Sequence, residues 1–148
     1  MILIVSTRSG LCFTSFALAL AISCEASLTG AGVAVRTFPL GKLNLPPGTI
    51  IREEREQQGG WNVEGHVTCS PAELLTFMDG ELGTYGFRRG HKLSKETEPG
   101  VFLKGSDYFK PGEADYIVVF HLKGKREQNF GVVYVDEANE EAKVSGDK

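Results

Sequence analysis

WNVEGHVTCSPAELLTFMDGELGTYGF, residues 61–87, changes from strand periodicity to helix periodicity near its middle. In the first part, apolar or small side chains occupy every second position, and these are Trp61, Val63, Gly65 and Val67. Successive side chains of a strand point to opposite faces of the sheet, so this alternation predicts a half-buried antiparallel strand.

The helix start within this stretch is marked by SPAE, residues 70–73. Ser70 can cap the helix, Pro71 suits the first helical position, and Glu73 completes a capping box. The stripe that follows at helical spacing is apolar and consists of Leu74, Leu75, Met78 and Leu82, flanked by Phe77. Gly86 can adopt the left-handed conformation that stops a helix, so we expect the helix to end near Tyr85.

Further strands are predicted on both sides of this unit. Residues 49–56, TIIREERE, form the strand before it, with a turn at QQGG. The later strands are expected at 87–94, 100–105, 116–123 and 129–136, separated by a charged turn at 95–100, a loop over 107–115 and a hairpin turn at 124–128. Residues 116–123, YIVVFHLK, are apolar on both faces, which indicates a central position in the sheet.

The order of elements is two strands, one helix and then three or four strands, a ββαβββ-like arrangement. It predicts the α+β class, with one helix packed on a mainly antiparallel sheet of about five or six strands. A chain of 148 residues is enough for one domain, which we place at residues 45–136. Residues 137–148, EANEEAKVSGDK, have no apolar face and are predicted to be a solvated tail.

The N-terminal segment has the features of a secretory leader. Sixteen residues between Arg8 and Glu25 carry no charge, which suits a signal-peptide core and is shorter than the roughly 20 residues of a membrane-spanning helix. Residues 20–24, LAISC, resemble the bacterial lipobox, in which signal peptidase II cuts before a cysteine that carries a diacylglyceryl group. The resemblance implies a signal peptide over residues 1–23 and lipidation of Cys24. Because MILIV stands where a basic region is expected, we hypothesise that translation starts at Val5.

Two other interpretations of this segment stay open. One is an ordinary signal peptide cut near Ala26. The other is a folded strand-helix-strand of a degenerate nucleotide-binding α/β unit, although STRSGLCFTS lacks the glycines and the lysine of a phosphate-binding loop. If Cys24 is lipidated, residues 24–44, which are rich in glycine, proline and small residues, are predicted to be a tether.

A second set of motifs covers the predicted domain. It consists of a proline-rich lead-in, a GW-x-V-x-G strand, an SP-x-E helix start, and a helix end L-x-x-x-G followed by an aromatic residue. The matching residues are Gly60, Trp61, Val63, Gly65, Ser70, Pro71, Glu73, Leu82, Gly86 and Phe87. This pattern resembles a recurring type of small bacterial envelope domain of unassigned function, except that Met78 stands where that type often has an aromatic residue. The resemblance covers about residues 45–136 and implies a fold and an envelope location.

Charge and cysteine content narrow the classes of function. The net charge is -3 and the basic residues are scattered along the chain, so nucleic acid is not an expected partner. Cys12, Cys24 and Cys69 form no C-x-x-C pair, so neither a zinc knuckle nor a disulfide framework is predicted.

Residues that could carry chemistry occur outside any recognisable catalytic motif. They are His66, Cys69, Asp79, Glu81, His91, Asp107, Asp115 and His121. A hydrolase needs a nucleophile, a base and an orienting group that converge. His66 and Cys69 are three residues apart at a strand end, where an extended backbone points them to opposite faces. We therefore expect no catalytic activity, no metal and no cofactor, and a packed rather than activated Cys69.

Together these features predict a lipid-anchored accessory or interaction module of the bacterial cell envelope, on the periplasmic or extracytoplasmic side. Acyl chains would confine the domain to the membrane and raise its effective concentration for an envelope protein partner. The alternative is a carrier that holds a small apolar ligand between the helix and the sheet. The interaction hypothesis places the partner on the free sheet face or edge, whereas the carrier hypothesis places the ligand beneath Leu74, Met78 and Leu82. The candidate partner or ligand face consists of Trp61, Leu74, Met78 and Leu82.

Overall fold

The computed structural model describes residues 30–137. The elements in chain order are β1 (Val33–Ala34), β2 (Asn44–Leu45), β3 (Ile50–Gln57), β4 (Gly60–His66), α1 (Pro71–Gly83), β5 (Arg88–Glu98), β6 (Val101–Phe109), β7 (Tyr116–Lys123) and β8 (Phe130–Val135). β1 and β2 form a small antiparallel sheet, and the other strands form a six-stranded sheet in the order β3-β4-β8-β7-β6-β5. Neighbouring strands of the large sheet are all antiparallel. The α+β class and the mainly antiparallel sheet are thus confirmed.

The central strands follow the predicted patterns. In β4, Trp61 and Val63 are buried while Asn62 and Glu64 are half-buried, as the alternation indicates. β7 lies between β8 and β6, which is the internal position expected from its two apolar faces.

Helix α1 begins as its capping signal predicts. The Glu73 N–H donates to Ser70 Oγ at 3.3 Å, and the Ser70 N–H donates to Glu73 Oε2 at 2.7 Å. The helix ends at Gly83, two residues before the predicted end, and Gly86 adopts a φ of 85°. Its side chains Leu74, Met78 and Leu82 are completely buried, and the helix contacts β5, β6 and β7.

The prediction of a tether over residues 24–44 is wrong for the part that the structure describes. Val35, Phe38 and Leu43 are buried members of the hydrophobic core. The ring of Phe38 packs edge-on against Trp61 at a centroid distance of 5.2 Å and against Tyr85 at 5.6 Å. Burial of these side chains stabilises the segment against the domain, so we call residues 30–44 the arm, and the folded unit includes it.

The hairpin between β5 and β6 is longer than the sequence indicated. The predicted charged turn at 95–100 is mostly strand, because Lys95 pairs with Leu103 and Glu96 with Phe102, and the turn is reduced to Pro99–Gly100. β6 then continues to Phe109 through part of the predicted loop. β5 is an edge strand whose side chains are nearly all exposed, so its charged residues stay in solvent while the backbone is paired.

The predictions for residues 1–23, for Cys24 and for the tail beyond Glu137 lie outside the described residues. Along residues 30–137, no helix is long and apolar enough to cross a membrane. Residues 30–38, GAGVAVRTF, would be the second strand of the nucleotide-binding α/β unit, where strands are parallel. In the structure, Val33–Ala34 of this stretch form β1, which pairs with β2 in an antiparallel arrangement.

Candidate functional site: an open sheet face and a basic groove

The four residues proposed as a partner or ligand face lie inside the core. Trp61 is 1% exposed, and Leu74, Met78 and Leu82 are 0% exposed. Trp61 Nε1 donates to Thr37 Oγ1 at 2.9 Å, so the arm also closes over its polar edge. These side chains stabilise the fold and present no surface to a partner. The assignment of a partner face to them is wrong.

The corner between β4 and α1 contains Cys69 and lies near two histidines. Burial raises the pKa of the Cys69 thiol, and the negative charge of Glu73 raises it further, which opposes activation as a nucleophile. Burial lowers the pKa of His121, so this ring is neutral at pH 7. The Nδ1 atoms of His66 and His121 are buried and have no hydrogen-bond partner among residues 30–137. Within the same residues, no group of three potential ligands is placed to hold a metal ion.

Two of the candidate carboxylates connect elements of the fold. Asp79 on α1 accepts two hydrogen bonds from Arg89, at 2.6 and 2.8 Å, and one from the Tyr108 hydroxyl at 3.0 Å. Burial and this hydrogen bond raise the pKa of Tyr108 well above its ordinary value. Glu81 accepts from the backbone N–H and the side-chain amide of Asn44, at 2.9 and 3.1 Å. The first set ties α1 to β5 and β6, and the second ties it to the arm.

The other two carboxylates lie near strand ends and do not converge with a nucleophile. Asp107 pairs with the backbone N–H and the ring of His91, whose side chain is 91% exposed. The adjacent Ser106 hydroxyl donates to the His91 carbonyl at 2.9 Å and lies on the other face of β6, so these three groups form no catalytic triad. Asp115 accepts from the Tyr134 hydroxyl at 2.7 Å.

The large sheet has one face packed against α1 and one face that we call the open face. The Tyr108 hydroxyl oxygen lies 3.2 Å from the Leu75 carbonyl oxygen, which places Tyr108 and its cross-strand neighbour Ile117 on the helix side. The alternate residues of β6, β7 and β8 therefore point away from α1. The apolar members of the open face on these strands that are not fully buried are Leu103, Phe109, Tyr116, Val118, Phe120, Leu122, Val133 and Val135. All are half-buried except Phe109, which is 45% exposed.

A glycine shapes the centre of the open face. Gly131 lies directly opposite Phe120, and the Phe120 ring occupies the space that a side chain at position 131 would need. The aromatic ring can therefore lie across β8, and it extends the apolar surface from one strand to the next.

Charged side chains flank the open face on opposite edges. On the β3–β4 side, Glu53 pairs with Arg55, and Glu64 has no cationic partner within 4 Å in the part of the chain that the structure describes. On the β5 side, Arg88 and Lys95 lie opposite Phe109 and Leu103. On β6, Asp107 lies opposite Val118 on the same face, where it is hydrogen-bonded to His91. The face thus has an apolar centre on β7 and β8, a carboxylate beside it on β6, Glu64 at one edge and cationic side chains at the other.

A groove of about 500 Å³ lies on the other side of the sheet, between the N-terminal half of α1 and the strands β5 and β6. Its lining residues are Ser70, Pro71, Ala72, Leu75, Thr76, Arg89, Gly90, Lys92, Lys104, Gly105 and Ser106. The helix wall is largely apolar and the strand wall carries the cationic side chains. We call this feature the basic groove.

Two of the three cations in the basic groove are not neutralised. Asp79 pairs with Arg89, but neither Lys92 nor Lys104 has a carboxylate within 4 Å among residues 30–137. Lys92 lies opposite Ser106, and Lys104 lies opposite Ser94, so the lysines are diagonal neighbours on the helix side of the sheet. The bulge between Arg89 and Lys92 sets this register. Gly90 in RRGHKLSK could have indicated this bulge from the sequence. The direction of the lysine side chains, however, follows only from the pairing of β5 with β6.

No protein-family model matches the chain, and neither a curated protein nor a solved structure matches it. The lipobox and the envelope-domain resemblance therefore stay predictions.

Proposed function

We propose that this chain is a lipid-anchored interaction module of the bacterial cell envelope, and that its open face binds a partner protein. The observation that carries the proposal is the apolar centre of the open face on β7 and β8, bordered by charged side chains on β4, β5 and β6. Protein interfaces commonly combine an apolar core, depleted in charge, with a polar rim.

The size of the open face suits a specific interface. Six strands spaced about 4.8 Å apart and about 25 Å long cover roughly 700 Å². A standard interface buries about 800 Å² on each partner. The open face is thus large enough to supply most of one side of such an interface.

The chemistry of the partner follows from the face. The centre at Val118, Phe120 and Val133 calls for an apolar, shape-complementary surface. Asp107, which lies opposite Val118, is already hydrogen-bonded to His91 within the domain. Glu64 calls for a cation at one margin, whereas Arg88 and Lys95 call for carboxylates at the other. This polarity favours one orientation of the partner, because the reversed orientation would bring like charges together.

The lipid anchor supports the same proposal by restricting the module to a membrane surface. A partner in or near that membrane would meet it at a raised effective concentration. Acylation at Cys24 would leave few residues before the arm begins at Gly30, so the domain would stay close to the membrane.

A photo-crosslinking residue at Val118 or Val133 tests the docking surface in cells. These two residues lie directly opposite each other in the centre of the open face. The matched control position is Phe102, which is 43% exposed on the helix side of the sheet. We expect one defined crosslinked partner from the open-face positions and none from position 102, with an apolar crosslinked peptide in the partner.

A second experiment uses the substitution Val118→Lys, with Phe102→Lys as its control. The first substitution should abolish the crosslink from position 133 while the domain still unfolds cooperatively, and the second should leave the crosslink intact. Recovery of the monomer alone would contradict the proposal, and a crosslink only to a second copy would replace the partner by self-association.

Fractionation tests the anchor separately. We expect the wild-type protein in the membrane fraction with an acylated N-terminus at Cys24, and Cys24→Ser without the modification. If both proteins are soluble and mass spectrometry finds residues 1–23 in both, the anchor is excluded.

A further inference from the structure

We infer that the basic groove binds an amphipathic oxyanion, which is a carboxylate or phosphate group attached to an apolar body. The groove lies on the helix side of the sheet, and none of the side chains that line it belongs to the open face. The inference therefore stands independently of the partner proposed above.

The groove places the space for a small ligand elsewhere than the carrier hypothesis predicted. That hypothesis required a cavity beneath Leu74, Met78 and Leu82, but these side chains are fully buried in the core. The space that the structure shows is beside the helix, against the opposite flank that carries Ala72, Leu75 and Thr76. A volume of about 500 Å³ is within the range of about 300–1,000 Å³ that is typical of small-ligand sites.

The cationic wall of the groove determines the charge of the ligand. Lys92 and Lys104 have no carboxylate partner among residues 30–137, so an incoming anion does not have to displace an internal ion pair. Arg89 differs, because Asp79 holds its guanidinium in two hydrogen bonds at 2.6 and 2.8 Å. The net charge of this wall is therefore set by the two lysines, and an oxyanion between their ammonium groups would be bound by charge-assisted hydrogen bonds.

The start of α1 reinforces this charge preference. Ser70 Oγ and the Ser70 carbonyl accept from the N–H groups of Glu73 and Leu74, so these donors are used. The Ala72 N–H has no carbonyl within the helix to bind, because it lies in the first turn. The helix dipole adds a partial positive charge at the same end of the groove.

The apolar wall determines the rest of the ligand. Pro71, Ala72 and Leu75 offer hydrocarbon surface along the helix, while the strand wall has the hydroxyl of Ser106 and the backbone of Gly105. An inorganic anion would leave the apolar wall in water, and a neutral hydrocarbon would leave the lysines unused. An amphipathic oxyanion satisfies both walls.

The test is a ¹⁵N NMR titration of the full chain with decanoate, octyl phosphate, decanol and inorganic phosphate. Decanoate and octyl phosphate carry both parts of the expected ligand, and the other two probes carry only one part each. We expect saturable shifts of the Ala72, Gly90 and Gly105 amides with at least one amphipathic oxyanion, and binding at least tenfold weaker for decanol and phosphate. The tighter of decanoate and octyl phosphate assigns the head group.

The double variant Lys92→Gln/Lys104→Gln should weaken this binding at least tenfold. The matched control is Lys42→Gln/Lys123→Gln, which removes the same charge from exposed positions outside both the groove and the open face and should change the affinity less than twofold. Ala72→Glu adds a carboxylate inside the groove at an exposed position of the first helical turn, where an acidic residue suits the helix dipole. It should also abolish binding while the domain stays folded.

Several results would overturn the inference. Absence of shifts at the groove amides would show that no ligand binds there. If the two double variants weakened ligand binding equally, the binding would reflect general attraction by net charge and not a specific site. Decanol binding as tightly as decanoate would exclude the oxyanion, and phosphate binding as tightly as octyl phosphate would exclude the apolar body. None of these outcomes affects crosslinking at Val118 or Val133.

Discussion

Asn129 holds the corner between β4 and α1, and its replacement should destabilise the domain strongly. Its Oδ1 accepts from the Val67 N–H at 2.7 Å, and its Nδ2 donates to the Val67 carbonyl at 2.8 Å. The side chain thus satisfies both backbone polar groups of a residue that is 2% exposed, and Asn129 itself is only 7% exposed. The chain reaches the helix cap three residues later, so this contact also positions the start of α1 and one end of the basic groove.

Asn129→Ala removes both hydrogen bonds and leaves two buried backbone groups without partners. Each such group costs about 1–3 kcal/mol, and a water molecule in the vacated space can compensate part of that loss. We therefore expect the free energy of unfolding to fall by about 2–4 kcal/mol, which corresponds to roughly 8–16 °C in Tm for a domain of this size.

Asn129→Asp adds a pH dependence that separates the hydrogen bonds from simple packing. The ionised carboxylate keeps the acceptor for the Val67 N–H but faces the Val67 carbonyl without a proton to donate. The protonated form can make both bonds, so folding raises the pKa of the introduced carboxyl above its unfolded value of about 3.9. The stabilisation is present below that unfolded value and is lost as the pH rises through the folded pKa.

The assay is urea unfolding monitored by the fluorescence of Trp61, the single tryptophan, between pH 4 and pH 7. At pH 7 both variants should be less stable than the wild type, whereas towards pH 4 Asn129→Asp should recover relative to Asn129→Ala. Gln128→Ala, at an exposed neighbouring position, is the control and should stay within about 0.5 kcal/mol of the wild type. A loss below about 0.5 kcal/mol in Asn129→Ala, or the same pH profile for both variants, would refute the reasoning.

Three further predictions concern the arm, the helix cap and the free thiol. Phe38→Ala should lower the free energy of unfolding by about 3–4 kcal/mol, because the ring packs on Trp61 and Tyr85. If denaturant unfolding gives a value within about 0.5 kcal/mol of the wild type, the prediction that this segment is a tether would be supported instead. Ser70→Ala removes the acceptor of the capping box and should cost about 1 kcal/mol in the same assay, with Ser70→Asp close to the wild type. Burial raises the pKa of the Cys69 thiol, so its labelling by iodoacetamide at pH 8 should be much slower in the native protein than in urea, and equal rates would contradict its burial.

The strand-helix unit was predictable because its signals are local. The alternation in β4 and the capping box at Ser70 each fall within a few residues, and both form as the sequence indicates. The arm was not predictable in this way. Its buried residues Val35, Phe38 and Leu43 follow neither a two-residue nor a helical period, and their burial depends on partners such as Trp61 that are distant in the sequence.

The candidate partner or ligand face was placed on buried residues for a related reason. An apolar stripe on a single helix predicts that something covers it, but the pattern does not say whether the cover is the sheet of the same chain or a separate ligand. Here the sheet and the arm of the same chain form one core with Leu74, Met78 and Leu82, which are completely buried. The basic groove depends on the bulge in β5 and on pairing with β6, which no local pattern specifies.

The open face does have a sequence signal, in the two-sided apolar pattern of β7. A strand that is apolar on both faces is typically covered on both sides, whereas an antiparallel sheet with one solvated face usually alternates apolar and polar residues. Within residues 30–137, α1 and the arm pack on the face that carries Ile117 and Val119, and the opposite face still presents Val118 and Phe120 half-buried. Those side chains carry a hydration cost that the described fold does not remove, and a partner protein on the open face would remove it. The conflict between a two-sided apolar strand and a sheet described with cover on one side is the physical basis for placing the interface there.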